Sequence, residues 1–112
     1  MNQAKPYFDT KEPILTILCE YLKKEPKTDI GTLRNLPLRE LQEKNLIGEV
    51  TQHSGGMTMT SHKDASDKDV LLINDCIYDL LYDRVLTPGV NVHNQDLPFV
   101  HVSSFEKLNS YL

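Results

Sequence analysis

Between Asp67 and Asp83 the apolar residues fall at helical intervals: Val70, Ile73, Ile77, Leu80 and Leu81, widened by Leu72 and Cys76. This period predicts an amphipathic helix over 67–83 with one buried face. Ser66, with Asp69 three positions on, reads as its cap, an Asp standing where a capping box usually carries Glu or Gln. Asp75, Asp79 and Asp83 lie four apart and should stack as an acidic stripe away from the dry side. Such a helix stays folded only if other elements cover that side, so the rest of the 112 residues must supply a cover.

Two more helical segments precede it. Ile14, Leu15, Leu18, Tyr21 and Leu22 form one face of a helix over Lys11–Lys24, with Thr10 as N-cap, Pro13 in the first turn, Lys23 and Lys24 at the C-terminal dipole and Pro26 as the stop. A second helix is predicted over Leu38–Asn45, started by Pro37 and closed by Asn45 or Gly48. Its Leu38, Leu41 and Leu46 face inward, and Arg39, Glu40, Glu43 and Lys44 face water. Between these two lies a short connection, Lys27–Gly31, in which Asp29 caps a brief turn around Leu33. Residues 49–67 are polar, with a flexible turn at Gln52–Gly56 and alternation at Met57–Thr60, so a hairpin and a mobile loop both stay open.

After the third helix, Val85–Val90 reads as a strand entering a Pro-Gly turn, and Asn91–Asp96 as a polar loop. Pro98–Val102 reads as a return strand, with Phe99 and His101 on one face and Val100 and Val102 on the other; Pro98 suits an edge position. Ser103 or Ser104 caps a last short helix, Phe105–Tyr111, presenting Phe105, Leu108 and Leu112. The expectation is one α+β domain spanning 1–112: three main helices, a C-terminal two-stranded hairpin and a short last helix, with an insertion at about 49–67.

That order resembles winged-helix domains, in which the third helix packs on the first two and the hairpin closes the core. Residues 70–103 carry the resemblance. The apolar run Val70–Leu81, then Asp83-Arg84-Val85-Leu86-Thr87-Pro88-Gly89-Val90-Asn91, Asn94, Leu97-Pro98-Phe99 and Val102-Ser103 are similar to a winged-helix segment recurring in uncharacterised bacterial proteins. Tyr78 and Ser103 stand where that segment commonly has Trp and Thr. The resemblance implies a fold and no reaction. The insertion before the third helix exceeds the turn of about 3–4 residues in a helix-turn-helix.

Charge narrows the functions. The net charge of −4 is carried by residues 50–112, since residues 1–49 hold eight basic and eight acidic groups. A uniformly basic nucleic-acid glove is excluded. Duplex DNA is disfavoured, because Asp67, Asp69, Asp75, Asp79 and Asp83 outnumber Lys68 and Arg84 on the helix that would enter a groove. The wing loop offers His93 and Asn94 without Lys or Arg. A DNA-binding regulator would have to use Lys23, Lys24, Lys27, Arg34, Arg39 and Lys44, which are interspersed with Glu20, Glu25, Glu40 and Glu43.

Chemistry is thinly represented. His53, His62, His93, His101, Cys19 and Cys76 show no CxxC, HxxxH or HExxH spacing, so no metal or other cofactor is expected. No nucleophile elbow or phosphate loop is present and Ser54 beside His53 makes no triad, so no enzyme and no small-molecule substrate is expected. Cys19 and Cys76 sit among apolar neighbours and read as reduced core residues. No apolar run approaches the ~20 residues of a membrane span, and the polar start Met1–Pro6 lacks a signal-peptide core; a cytoplasmic, bacterial setting is the default. The apolar and aromatic surplus, Tyr7, Phe8, Tyr78, Tyr82, Phe105, Tyr111 and Leu112, points to protein contact. Tyr7, Phe8, Tyr82, Phe105, Leu108, Tyr111 and Leu112 are the candidate interface for a partner or a second copy, in an adaptor or regulatory module.

Overall fold

Asp29 decides where the chain first departs from expectation. Its carboxylate accepts from the Thr32 N–H at 2.8 Å and the Thr32 hydroxyl at 3.0 Å, an N-cap that starts a helix there. In the computed structural model the second helix, α2, therefore runs Ile30–Glu43, not from Pro37. Pro37 lies inside it and is buried. Ile30, Leu33, Pro37 and Leu41 recur three and four apart as one inward face, and this continuous apolar spacing outweighs the backbone bond that proline forgoes. The structure describes residues 7–44 and 46–112, and for 49–54 and 57–63 the backbone course alone. The polar start at 1–6 and closure of the second helix at Asn45 lie outside the described residues.

The first helix, α1, spans Glu12–Lys24 with Pro13 in its first turn. Its N-cap is Lys11, without a side-chain cap bond, so Thr10 does not have the capping role its hydroxyl suggested. The third helix, α3, spans Asp67–Tyr82. Ser66 caps it by accepting from the Asp69 N–H at 3.1 Å, while its hydroxyl donates to the Asp69 carboxylate at 2.7 Å.

Three short strands form an antiparallel sheet: β1 (Lys27–Asp29), β4 (Leu86–Pro88) and β5 (Phe99–Val102), in the order β1-β5-β4. The expected two-stranded hairpin gains a strand because the Lys27–Asp29 backbone pairs with His101–Phe99. Three half-exposed polar residues carry no alternation by which a sequence would announce them. The extra pairing also makes β5 the central strand, so Pro98 is not on an edge. It precedes the strand, where its missing donor costs no ladder bond, and its carbonyl accepts from the Ile30 N–H at 2.8 Å. Residues 48–63 fold as a second antiparallel pair, β2 (Gly48–Ser54) and β3 (Met57–Lys63), paired from Gly48↔Lys63 to Ser54↔Met57.

A short helix, α4, closes the chain at Phe105–Ser110, capped by Ser104. The core is continuous: Ile14, Leu18 and Leu22 of α1, Leu33 of α2, Ile73, Ile77 and Leu80 of α3, Val85, Leu86, Val100 and Leu108. Cys19 and Cys76 lie in it, unpaired. Among the described residues no helix is long and apolar enough to cross a membrane.

Candidate functional site

The outward side of α3 is where the surface is least ordinary. Ile73, Cys76, Ile77 and Leu80 face the core, which turns Asp67, Leu71, Asn74, Asp75, Tyr78 and Tyr82 outward. Leu71 is 64% exposed, Tyr78 48% and Tyr82 93%. Val70, expected on the buried face, is 47% exposed; it lies toward α2, where Leu38 leaves the space above it open. An apolar hollow of about 350 Å³ follows, lined by Leu38, Val70, Leu71 and Ile73 and rimmed by Arg34, Asn35 and Asn74. A second hollow on the other side of Leu71 is lined by Phe8, Asp9, Lys68, Leu72 and Asp75, so Leu71 stands as a ridge between two depressions.

The N-terminal segment is fastened to this helix by Asp69. Its carboxylate is fully buried and accepts from the backbone N–H groups of Tyr7 and Phe8 at 2.9–3.0 Å, as well as from Ser66. Asp69 is therefore a structural anchor and does not belong with the exposed acids. A carboxylate out of water is tolerated because its lone pairs are satisfied, here next to the positive end of a helix. Only the Ser66–Asp69 spacing hinted at it, and a cap says nothing of Tyr7.

The acidic stripe is likewise divided among jobs. Asp79 pairs with the Lys11 ammonium at 2.9 Å, and this hydrogen bond and charge hold the Lys11 pKa above its usual value. Asp83 accepts from the Tyr111 hydroxyl at 3.1 Å, and its carbonyl accepts from Lys107 at 2.9 Å. Burial raises the Tyr111 pKa, with the Asp83 bond adding to it. Asp75 alone of the three is given to the outer face.

The expected interface residues do not act as one group. Tyr7, Tyr82, Phe105 and Leu112 are exposed, whereas Phe8 and Tyr111 pack partly against the core. Leu108 is fully buried and cannot meet a partner, because α4 folds back on α1 with Leu108 as its inward residue. The Tyr7 hydroxyl donates to the Leu46 carbonyl at 3.0 Å. Of the outer residues only Val70 is read inward from the sequence, because its spacing to Ile73 and Ile77 continues the buried face; Tyr78 belongs to the aromatic surplus, and Leu71 falls off the buried spacing without being singled out.

The basic candidates Lys23, Lys24, Lys27, Arg34, Arg39 and Lys44 are all exposed. Lys24 and Arg39 share the α1–α2 groove with Glu20, Glu40 and Glu43. Lys44 lies 3.7 Å from Glu40, and Arg34 donates to the Asn74 side chain at 3.0 Å. In the loop between β4 and β5, Asn91 Oδ1 accepts from the His93 and Asn94 N–H groups at 2.9 and 3.0 Å. His101 Nδ1 meets the Gly89 carbonyl at 2.7 Å, so that nitrogen carries the proton. Among the described residues no group of three or more His, Cys, Asp or Glu side chains is gathered that could hold a metal ion; the side chains of His53 and His62 are outside them. Comparison with known proteins finds no matching family model, no similar curated protein and no similar solved structure.

Proposed function

We propose that this chain is a non-enzymatic adaptor or regulatory module of winged-helix type, working by protein–protein contact or self-association. The fold assignment is supported by α3 lying against α1 and α2 and by the β4–β5 hairpin closing the core beneath them. The functional assignment is carried by one observation: the outward face of the third helix is apolar and aromatic between acidic residues. A helix meant for a DNA groove presents Lys, Arg or amide side chains to phosphates and base edges. Leu71, Tyr78 and Tyr82 instead offer area that leaves water on binding, and tyrosine keeps its hydroxyl for a bond at the rim.

The runner-up is a transcriptional regulator that meets duplex DNA through the basic N-terminal surface. Anisotropy of labelled duplex DNA at several salt concentrations separates the two. Negligible binding at physiological salt is expected. Tight binding that falls steeply with salt, and weakens on replacing Lys23, Lys24 and Arg39 with Gln, would favour the regulator instead, since each phosphate contact contributes through counterion release.

A further inference from the structure

We propose that the occupant of the α3 face is the α3 of a second copy of this chain, packed antiparallel across a two-fold axis near the Asn74–Asp75 peptide. The inference rests on the protein-contact function proposed above and names the partner.

Its ground is the symmetry of the exposed stripe. Asp67, Leu71, Asn74, Tyr78 and Tyr82 follow one another at intervals of three and four, the spacing of a helix–helix seam. Leu71 and Tyr78 are equidistant from the Asn74–Asp75 bond, and so are Asp67 and Tyr82. With a common rise of about 1.5 Å per residue, an antiparallel copy brings Leu71 against Tyr78 of the second copy and Tyr78 against its Leu71. The same axis sets the Tyr82 hydroxyl over the Asp67 carboxylate, a donor meeting an acceptor at each end. An isologous contact needs this self-complementarity.

Charge and shape agree with it. The acid Asp67 opens the helix, and Arg84, exposed with φ of 61° just past its end, closes it, so antiparallel pairing brings opposite charges together twice. The hollows flanking the Leu71 ridge receive the tyrosines of the second copy. Lys68 and Asp83, exposed beside Asp67 and Arg84, give each end both signs, and Asp75 is unfavourable because it meets its own symmetry mate near the axis. One helix and its flanks make an interface below the standard of about 800 Å² per partner, so exchange between monomer and dimer at micromolar concentration is expected.

Sedimentation equilibrium of the full chain, with cross-linking of Asn74→Cys, tests this. The wild type should sediment as a dissociable dimer, and Asn74→Cys, whose thiol lies beside the axis, should form an intermolecular disulfide on mild oxidation. The native thiols are buried, so they do not compete. Leu71→Glu should weaken association by about tenfold or more, and Asp75→Asn should tighten it several-fold. Tyr82→Glu serves as a second disrupting variant on a side chain too exposed to affect folding. A strict monomer at millimolar concentration would overturn the proposal, as would a dimer unchanged by Leu71→Glu or Tyr82→Glu, or a dimer in which Asn74→Cys stays unlinked. None of these results turns on DNA, so loss of the self-pairing leaves the protein-contact function to the anisotropy measurement.

Discussion

Asp69 shows how much one residue can hold in a chain of this size. It joins two distant parts of the sequence, the Ser66-capped start of its own helix and the backbone of Tyr7 and Phe8, 62 and 61 residues away. Asp69→Ala removes the acceptor for these donors, and hydrogen bonds to a charged group are worth about 1.5–3 kcal/mol each. Chemical denaturation should show a loss of about 2–4 kcal/mol with the N-terminal segment released; a loss below about 0.5 kcal/mol, the range of ordinary surface changes, would contradict the anchor. The cysteines make a second prediction at this scale. Burial pushes the Cys19 thiol up to about 11 and Cys76 to about 12. Thiolate is the reactive form, so labelling of the native protein near neutral pH should be slow and limited by unfolding. As pH rises above the ordinary thiol value, the unfolded chain ionises while the folded thiols stay protonated. The stability held below that value is then lost toward pH 11–12. Denaturation midpoints measured upward from pH 8 should fall less steeply when both cysteines are Ala.

Elements were legible in the sequence where their apolar period was unbroken and sided. For α1 and α3 the spacing of Ile, Leu and Val located the helices to within a residue or two. The sequence makes α2 look short because Pro37 resembles a beginning, whereas the capping carboxylate of Asp29 sets the start and the inward face runs through the proline. β1 was invisible: its identity as a strand lies in its partner β5, and pairing is a tertiary fact. The same reasoning explains the site. Val70 differs from core residues only in the direction it faces, which needs Leu38 and α2 in place to be seen, whereas Leu71 and Tyr78 already fall off the buried spacing of α3. A prediction at this scale concerns the turn after β4. Gly89 has φ of 101°, and an added Cβ would lie 2.8 Å from the Gln95 carbonyl oxygen. Gly89→Ala should cost about 1–3 kcal/mol through backbone strain, read as a lower thermal midpoint with unchanged helix content. A neutral substitution would mean that the loop relaxes freely.

At the scale of the whole molecule, charge and burial divide the surface into regions with different uses. The acids Asp79 and Asp83 hold the N- and C-terminal segments against α3, the cations on α1 and α2 mix with glutamates, and the outer line of α3 is left apolar. A fold built to read DNA would place cations where this one places Leu71, Tyr78 and Tyr82. The central claim, that α3 packs on the α3 of a second copy, is tested most directly by following backbone amide signals during dilution from millimolar to micromolar concentration. Shifts that concentrate on residues 67–84 and the adjoining Leu38 and Phe8 are the predicted result; shifts confined to Phe105–Leu112, or none at all, would contradict it.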